Sequence, residues 1–317
     1  MAYSAGDAIL DDEYNAFVGS STDPFGYNHF AGAGSGEYGL NQSSISTVNA
    51  GDAIAASSWN ALFTGLDNIA NHTNVSITSS SVSAGDDIAI RSALISDLAN
   101  LAAAVAGGST GATAIGTNAV GSSTNSATWN STSTIERSVT FANNNTMRAF
   151  FNAGGFIRID PSCVTGIDGT KDDVYNTLTT GAIGNLDLKA QSSVRSGSGE
   201  TLTTNGLANG FHNLGTSYTE IIKVTSDNSG YTGNNVSIQA KLDAAVGSAT
   251  VLTIKMVSTD GASDTTYTSG NLSSIPTNPN EAPRMTLALI EHHPTDAQGL
   301  AAAIQVASNA EVSNSSS

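Results

Sequence analysis

The chain has 317 residues, of which 12% are charged, and its 11 Lys plus Arg against 27 Asp plus Glu leave a formal charge of -16. This balance argues against binding to nucleic acid or to an anionic membrane, because both ligands require clustered cations to displace their counterions. The arginines and lysines are also scattered along the sequence, so no local basic patch changes that expectation. The length permits one large domain or two to three ordinary ones.

Cysteine content and hydropathy exclude further classes. Cys163 is the only cysteine, so one chain can build neither a disulfide nor a Cys-based zinc site, and we interpret this residue as a small neutral thiol. The opening MAYSAGDAILDDEYN has no basic region followed by an apolar core, as a secretory signal would. No apolar run approaches the roughly 18 residues that span a bilayer. We therefore expect a soluble protein made in a cytoplasm.

A short motif, Gly-Asp-x-Ile, occurs three times in the first hundred residues, in SAGDAILDDEYNAF, NAGDAIAASSWNAL and SAGDDIAIRSALIS. Glycine permits the positive φ of a tight turn, and aspartate can bond back to the backbone within it. The isoleucine would then anchor the turn to a core. We predict three equivalent turn-helix units that form the anchoring half of the protein. The motif residues are Gly6, Asp7 and Ile9; Gly51, Asp52 and Ile54; and Gly85, Asp86 and Ile88.

An amphipathic helix is predicted after each copy, because the apolar residues fall on one helical face. These residues are Tyr14, Phe17 and Val18; Trp59, Leu62, Phe63, Leu66, Ile69 and Ala70; and Leu94, Ile95, Leu98, Leu101, Ala102 and Val105. The predicted N-caps are Asp11, Ser57 and Ser92. Two copies carry an aromatic-Asn pair at the same offset, Tyr14-Asn15 and Trp59-Asn60, whereas the third has Ala93 at the aromatic position.

Two Gly-rich stretches accompany these units, one between the first and second copies and one after the third. FGYNHFAGAGSGEYGLNQ lacks the Gly-Lys-Ser/Thr of a phosphate loop, so we expect a structured surface loop with locally packed aromatics. The lone His29 and His72 are interpreted as structural residues. The uncharged, low-complexity stretch at 107–133 is interpreted as a linker or extended arm. The predicted domains are therefore a turn-helix region at 1–106, this linker, and a β-rich domain at 134–317.

The stretch RSVTFANNNTMRAFFNAGGFIRID predicts a strand, a short helix and a second strand. Asn143 is the predicted N-cap of the helix, which carries Met147, Phe150 and Phe151 and ends at Gly154-Gly155. We expect Arg148 and Arg158 to be solvated or ion-paired in so acidic a chain.

Further elements follow towards the C-terminus. KDDVYNTLTT predicts a short helix, and period-two patterns predict strands at 219–225, 235–242, 251–257 and 285–290. Strands at this spacing are typical of an antiparallel sandwich or jelly roll. The predicted fold class is α+β, with N-terminal short amphipathic helical repeats followed by an antiparallel β-sandwich or jelly-roll-like domain. The tail from Ala297 is expected to pack a short segment and then fray.

The sequence contains few patterns that are typical of catalytic or metal-binding sites. A formal Gly-x-Ser-x-Gly at 107–111 lies in low-complexity sequence, unlike a nucleophile elbow. Adjacent strand residues point to opposite faces, so His292 and His293 would not hold one metal within a chain, although a metal on a symmetry axis stays open. The acidic clusters at 11–13 and 172–173 lack the calcium-loop pattern and are interpreted as solvated helix starts. We expect no enzyme, no cofactor and no metal.

Gly-Asp-x-Ile leading to aromatic-Asn, followed by FANNNTMRAFFNAGGFIRI, resembles virion structural proteins of marine tailed bacteriophages, especially those infecting cyanobacteria. In that group an Arg-x-Phe-Phe-Asn-x-Gly-Gly segment precedes a β-rich C-terminal region. The matching residues here are Arg148, Phe150, Phe151, Asn152, Gly154 and Gly155. The resemblance covers most of the chain and implies a non-enzymatic virion component in contact with other virion proteins. Its place in the particle is open between tail fibre, baseplate, neck appendage and capsid decoration.

The sequence also predicts an oligomer, and it leaves one alternative function open. Apolar helical stripes on so polar a chain predict a homo-oligomer, with a trimer ahead of a dimer because phage appendages are commonly trimeric. The alternative is a carbohydrate-binding adhesin for host surface glycans, which would use exposed Trp or Tyr as stacking faces. The placement of Trp59 on a helix and Trp129 in the linker weakens that alternative.

Overall fold

The computed structural model describes residues 11–20, 26–32, 39–40, 42–83, 91–106, 115–164, 170–262, 282–295 and 304–317. The chain divides into two compact units. We call residues 1–116, 143–155 and 293–305 the helical unit, and residues 117–142, 156–292 and 306–317 the β unit. The predicted α+β class is confirmed, since helices precede two antiparallel sheets in a sandwich-like arrangement.

The helical unit contains five α-helices among its described residues: α1 (Asp11–Val18), α2 (Tyr27–Phe30), α3 (Ala56–Thr73), α4 (Arg91–Ala106) and α5 (Asn144–Asn152). The predicted apolar faces of α1 and α3 are buried throughout, as expected from their spacing. On α4 the prediction is wrong for Ile95, which is 51% exposed. The other predicted α4 residues already form a complete stripe at i, i+4, i+7 and i+11, and Ile95 lies at its edge.

The predicted helix caps differ from the observed ones. Helix α3 begins after Ala55, which makes no side-chain cap bond, so Ser57 lies inside the first turn. Helix α4 begins at Arg91, so Ser92 is its second residue. Burial of Trp59 near the start of α3 contributes more than a typical cap bond, which is about 1 kcal/mol. Tertiary packing therefore overrides the cap signal at this helix.

The segment interpreted as a surface loop contains a helix. Tyr27 and Phe30 of α2 are buried, with ring centroids 6.0 Å apart in an edge-to-face arrangement. A four-residue helix has too little periodicity to be recognised from sequence. His29 and His72 are buried at 5% and 1% exposure, in keeping with a structural role for both.

Helix α5 follows its sequence signals closely. Asn143 caps it by accepting a hydrogen bond from the Thr146 N–H at 2.8 Å, as predicted. Beyond its last residue, Gly154 has φ of +85°, and the N–H groups of Gly154 and Gly155 donate to the last turn. The compact units divide the chain differently from the predicted domains, because residues 143–155 belong with the N-terminal helices.

The β unit contains two antiparallel sheets. One sheet has the strand order β1 (Ile115–Thr124), β10 (Met285–Pro294), β3 (Phe156–Cys163), β4 (Leu186–Leu188) and β5 (Ser193–Arg195). The other has the order β11 (Ser308–Ser316), β2 (Thr132–Thr140), β9 (Val251–Thr259), β8 (Asn235–Leu242), β7 (Thr219–Thr225) and β6 (Thr201–Asn205). Facing residues such as Ile135, Met256 and Ile238 align across three strands and are buried.

The four strands predicted from period-two patterns are confirmed as β7 to β10. The interpretation of 107–133 as a linker is wrong for the part that the structure describes: β1 occupies 115–124, and Trp129 is 3% exposed and donates from Nε1 to the Pro283 carbonyl at 2.7 Å. The expected fraying of the tail is wrong as well, since 308–316 form β11. Both strands are rich in small polar residues, and without a regular alternation of apolar residues their pairing leaves no period-two pattern in the sequence.

Helix α6 (Thr170–Asn176) continues directly into a π-helix (Thr177–Ile183). Asp172, expected to be solvated at this helix start, is 1% exposed, so that interpretation is wrong. Arg158 makes the expected ion pair, with Nε 2.7 Å and Nη2 3.0 Å from the two oxygens of Asp187. Arg148 is instead 3% exposed and donates to Asn145 Oδ1 at 2.8 Å. Burial lowers the pKa of the Arg148 guanidinium.

Candidate functional site

The asparagines of the two predicted aromatic-Asn pairs make the same unusual contact. The Asn15 amide donates to the Val48 carbonyl at 2.9 Å, and the Val48 N–H donates to Asn15 Oδ1 at 2.9 Å. Asn60 repeats this arrangement with Val82, at 2.9 and 2.8 Å. Each side chain therefore satisfies both backbone groups of one residue in an extended segment, as a neighbouring β-strand would.

A third aromatic-Asn pair, Tyr27-Asn28, does the same in α2. Asn28 donates to the Ile45 carbonyl at 2.9 Å and accepts from the Ile45 N–H at 2.8 Å, and it also donates to the Gly19 carbonyl at 3.1 Å. This pair was not predicted, because no Gly-Asp-x-Ile precedes it. The dipeptide aromatic-Asn was the signal that could have found it.

The positions of the held residues explain the repeat. Val48 and Val82 each lie three residues before the glycine of the next Gly-Asp motif, Gly51 or Gly85. The asparagine of one copy thus holds the segment that leads into the following copy. The third copy lacks the aromatic-Asn pair, and there Asp97 Oδ2 accepts from two consecutive backbone N–H groups, those of Thr78 at 3.0 Å and Ser79 at 2.7 Å.

The second Gly-Asp turn has the predicted geometry. Gly51 has φ of +87°, and Asp52 Oδ2 accepts from the Asn49 N–H at 3.1 Å while the Asp52 N–H donates to the Asn49 carbonyl at 3.0 Å. Ile54 is half-buried, a weaker anchor than predicted. The corresponding turns of the other copies, with Gly6, Asp7 and Ile9 and with Gly85, Asp86 and Ile88, lie outside the described residues, so their equivalence stays a prediction.

The aromatic members of the pairs form a cluster around Trp59. The Tyr14 ring meets the indole edge to face at 5.2 Å, the Phe63 ring stacks at 6.0 Å, and the Phe17 ring is tilted at 6.0 Å. The Tyr14 hydroxyl donates to the Ser58 carbonyl at 3.3 Å. Desolvation raises the pKa of Tyr14, against the smaller opposing effect of that bond. The cluster joins α1 to α3.

The segment 148–155 lies in the interior of the helical unit. Phe150 and Phe151 are fully buried and meet edge to face at 5.0 Å. Asn152 is 1% exposed and donates to the Gly39 carbonyl at 3.0 Å. A Cβ on Gly155 would lie 2.6 Å from the Phe150 carbonyl oxygen, so only glycine fits there. These contacts are structural ones.

A shallow groove of about 540 Å³ lies on the helical unit. Neutral side chains line it: serines 43, 44, 46, 57 and 58, together with Tyr14, Tyr27, Gln42, Ile45, Ala61, Thr64, Gly65 and Asn68. Burial raises the pKa of Tyr27 to about 12, so this phenol stays neutral. The groove offers hydroxyl and amide groups but no charge.

The candidate titratable residues are not assembled into a reactive centre in the part of the chain that the structure describes. No three His, Cys, Asp or Glu side chains there approach closely enough to hold a metal ion. The His292 ring stacks on Phe156 at 4.3 Å, and Glu291 accepts from the Val306 N–H at 2.6 Å. Burial is the main cause that raises the pKa of the Cys163 thiol to about 11, and the negative charges of the nearby Asp172 and Asp173 add to it. A thiol so rarely ionised is a poor nucleophile.

Loss of one asparagine contact should be measurable. Asn60→Ala leaves the N–H and carbonyl of the 7%-exposed Val82 without their partner, so we expect the free energy of unfolding to fall by about 1–2 kcal/mol. Urea unfolding followed by circular dichroism measures this change. Asn71→Ala is the matched control, because Asn71 is exposed on the same helix and donates to the side chain of Asp67 at 3.2 Å. Its effect should stay within about 0.5 kcal/mol. Equal effects of the two variants would contradict a role for the contact.

Comparison with known proteins finds no matching family model, no matching curated protein and no matching solved structure. Among the described residues, no helix is long and apolar enough to cross a membrane.

Proposed function

We propose that this chain is a non-enzymatic structural component of a tailed-phage virion and assembles as a homo-oligomer through strand β11. The observation that carries the assembly part of the proposal is the exposure of β11, and the virion assignment rests on the sequence resemblance. This strand lies at the edge of the six-stranded sheet, and every residue from Ser308 to Ser316 except Ser313 is exposed, on both faces. Its neighbour β2 is mostly buried.

An open edge of this kind is a template for another strand. Proteins protect such edges with lysines, prolines or bulges. Strand β11 has neither Lys, Arg nor Pro, carries the single acid Glu311, and has one bulge between Glu311 and Ser313. Val312, the extra residue of the bulge, is 53% exposed, one of the most exposed large apolar side chains among the described residues. Pairing with a second copy would cover both the backbone groups and this side chain.

Side-chain hydrogen bonds from Arg137 and Asn125 fix the position of β11. Arg137 of β2 is 6% exposed, and it donates to Ser123 Oγ of β1 at 2.6 Å and to Asn309 Oδ1 of β11 at 2.7 Å. Asn125 donates to Asn314 Oδ1 at 2.8 Å. These bonds fix both ends of β11, so little conformational entropy remains to be lost when a partner strand binds.

The opposite edge of the same sheet supports a closed ring. Strand β6, with the sequence TLTTN, has no charged residue. Pairing of β6 in one subunit with β11 in the next is a head-to-tail contact, which generates a closed ring when its rotation permits. We favour a trimer, as the phage resemblance implies. The proposed location is the virion, after synthesis in the host cytoplasm, with other virion proteins as neighbours.

The test is sedimentation of the purified chain at micromolar concentration. We expect the wild type to sediment as an oligomer and Val312→Lys to sediment as a folded monomer, because a lysine on the edge opposes strand pairing. Val194→Lys is the matched control, since Val194 is 48% exposed on β5, an edge strand of the other sheet. A wild type that remains monomeric, or equal dissociation by both variants, would contradict the proposed interface.

Glycan binding is the second candidate function, favoured by the neutral groove of the helical unit. Its hydroxyl and amide groups suit a neutral sugar, but Tyr14 and Tyr27 are 1% and 4% exposed and give little stacking surface. Nuclear magnetic resonance titration with neutral oligosaccharides tests it. Shifts confined to the amides of 42–46 and of early α3 would favour an adhesin, and immunogold labelling of particles would distinguish tail, neck and capsid locations.

A further inference from the structure

An ion pair lies deep inside the β unit. Lys171, in the first turn of α6, places Nζ 2.6 Å from Oδ2 of Asp260, the residue that follows β9. The two side chains are only 3% and 2% exposed. Lysine is among the residues least often fully buried, and removing two charges from water is costly. Desolvation opposes the charge on each group whereas their mutual attraction favours it, and transfer of one proton from Nζ to the carboxylate across this contact converts the ion pair into a free amine and a carboxylic acid.

A buried tyrosine bonds the backbone beside the pair. The Tyr175 hydroxyl donates to the Thr259 carbonyl at 2.8 Å, next to Asp260. The Tyr175 ring lies edge to face with Trp129 at a centroid distance of 5.2 Å, and the two residues are 0% and 3% exposed. Because the side chains of Lys171 and Asp260 are only 3% and 2% exposed, bulk water reaches them little, which disfavours both solvation of the charges and hydrolysis of an amide product.

The reacting groups are also fixed in position. The Asp260 N–H donates to the Ser131 carbonyl at 3.0 Å, and the next two N–H groups both donate to the buried Asn234 Oδ1, at 3.1 and 2.9 Å. On the other side, Lys171 is held in a helix. One C–O bond of about 1.2 Å separates Oδ2 from the carboxyl carbon, so that carbon lies within about 4 Å of Nζ. Held groups at such distances react far faster than free ones.

We propose that Lys171 and Asp260 condense to form an intramolecular isopeptide bond. The lone pair of the neutral Nζ attacks Cγ of the protonated Asp260 carboxyl, and a bond from Nζ to Cγ forms. The bond from Cγ to the hydroxyl oxygen breaks, and a proton from Nζ leaves with that oxygen as water. One amine and one carboxylic acid thus become one amide and one water, without an oxidant or another reagent.

The bond would link α6 to the residue that follows β9. Helix α6 follows β3 of the five-stranded sheet, and β9 belongs to the six-stranded sheet. The bond would close a covalent loop between positions 89 residues apart. A cross-link of this length restricts the unfolded chain strongly. Unlike a disulfide, an amide is insensitive to the reducing conditions of a cytoplasm.

Intact-mass spectrometry of the denatured full-length protein tests the proposal. We expect the wild type to be lighter than its sequence by the mass of one water. Asp260→Asn should be lighter than its own sequence by one ammonia, because the amide then leaves as ammonia, and its product should have the same mass as that of the wild type. Lys171→Arg should show its full sequence mass, and the exposed-lysine control Lys189→Arg should still lose one water.

Tandem mass spectrometry of a tryptic digest locates the bond, since a branched peptide containing both Lys171 and Asp260 is expected. Dehydration elsewhere in the chain would give no such peptide and would refute the proposal. A wild type at full sequence mass after prolonged incubation in the folded state, with Lys171 open to an amine reagent once denatured, would also refute it. Should Lys171→Arg fail to fold, the ammonia loss of Asp260→Asn still decides the matter.

Discussion

Trp59→Ala should lower the free energy of unfolding by about 3–5 kcal/mol, the range for truncation of a large buried aromatic. Trp59 is 2% exposed and contacts three other aromatic rings from α1 and α3. Its loss would leave a cavity at the junction of the two helices. The neighbouring rings are themselves fixed by α1 and by the Tyr14 bond to the Ser58 carbonyl, so they would fill the space only in part.

Chemical unfolding monitored by circular dichroism and fluorescence measures this loss. Trp59→Phe retains most of the ring packing and should cost less than half as much, because Nε1 of Trp59 has no acceptor among the described residues. Ile95→Ala on the exposed side of α4 is the surface control and should change stability by no more than about 0.5 kcal/mol. A Trp59→Ala effect no larger than that of the control would show that the cluster does not join the helices.

Acid should destabilise the helical unit through His72. Its ring is 1% exposed, and desolvation lowers its pKa to about 4, although a hydrogen bond to the backbone of Ala153 acts in the opposite direction. An unfolded chain protonates this histidine near pH 6.5. Above pH 6.5 neither state is protonated and the stability is fully present. As the pH falls from 6.5 towards 4, only the unfolded state takes up the proton, so stability is lost.

Between pH 7 and pH 4.5 we expect this histidine to account for about 2–3 kcal/mol of lost unfolding free energy. Urea titrations at both pH values, compared between the wild type and His72→Gln, isolate its contribution. The variant should be less stable at pH 7, because the Ala153 contact is altered, but should lose less stability on acidification. An identical pH dependence of the two proteins would mean that His72 is accessible to protons in the folded state.

Helix α5 illustrates what can be derived from local chemistry. Asn143 at the cap, an apolar face of Met147, Phe150 and Phe151, and glycines at the end are signals within about ten residues, and each is where it was predicted. Strands β7 to β10 were predictable for a similar reason, since alternation of apolar and polar residues reports a half-buried strand directly. The Gly51-Asp52 turn belongs to the same class, because its bonds join near neighbours.

The role of the asparagines could not be derived in this way. The sequence shows that Asn15 and Asn60 recur at one offset, but their partners Val48 and Val82 lie 33 and 22 residues further on. Side-chain bonds to extended backbone leave no periodic pattern, so only folding reveals which segment each asparagine holds. The same argument applies to the buried pair of Lys171 and Asp260, which are 89 residues apart.

Composition, local turns, the helix faces and the alternating strands thus followed from the amino-acid sequence, because all of these depend on residues close together in the chain. Contacts between residues far apart in the chain decided four other features: the strand β1 in an apparent linker, the open edge of β11, the burial of Asp172 and the burial of Lys171 against Asp260. Backbone hydrogen bonds stabilise small polar strands almost regardless of side chain, and burial of a charge depends on what packs over it.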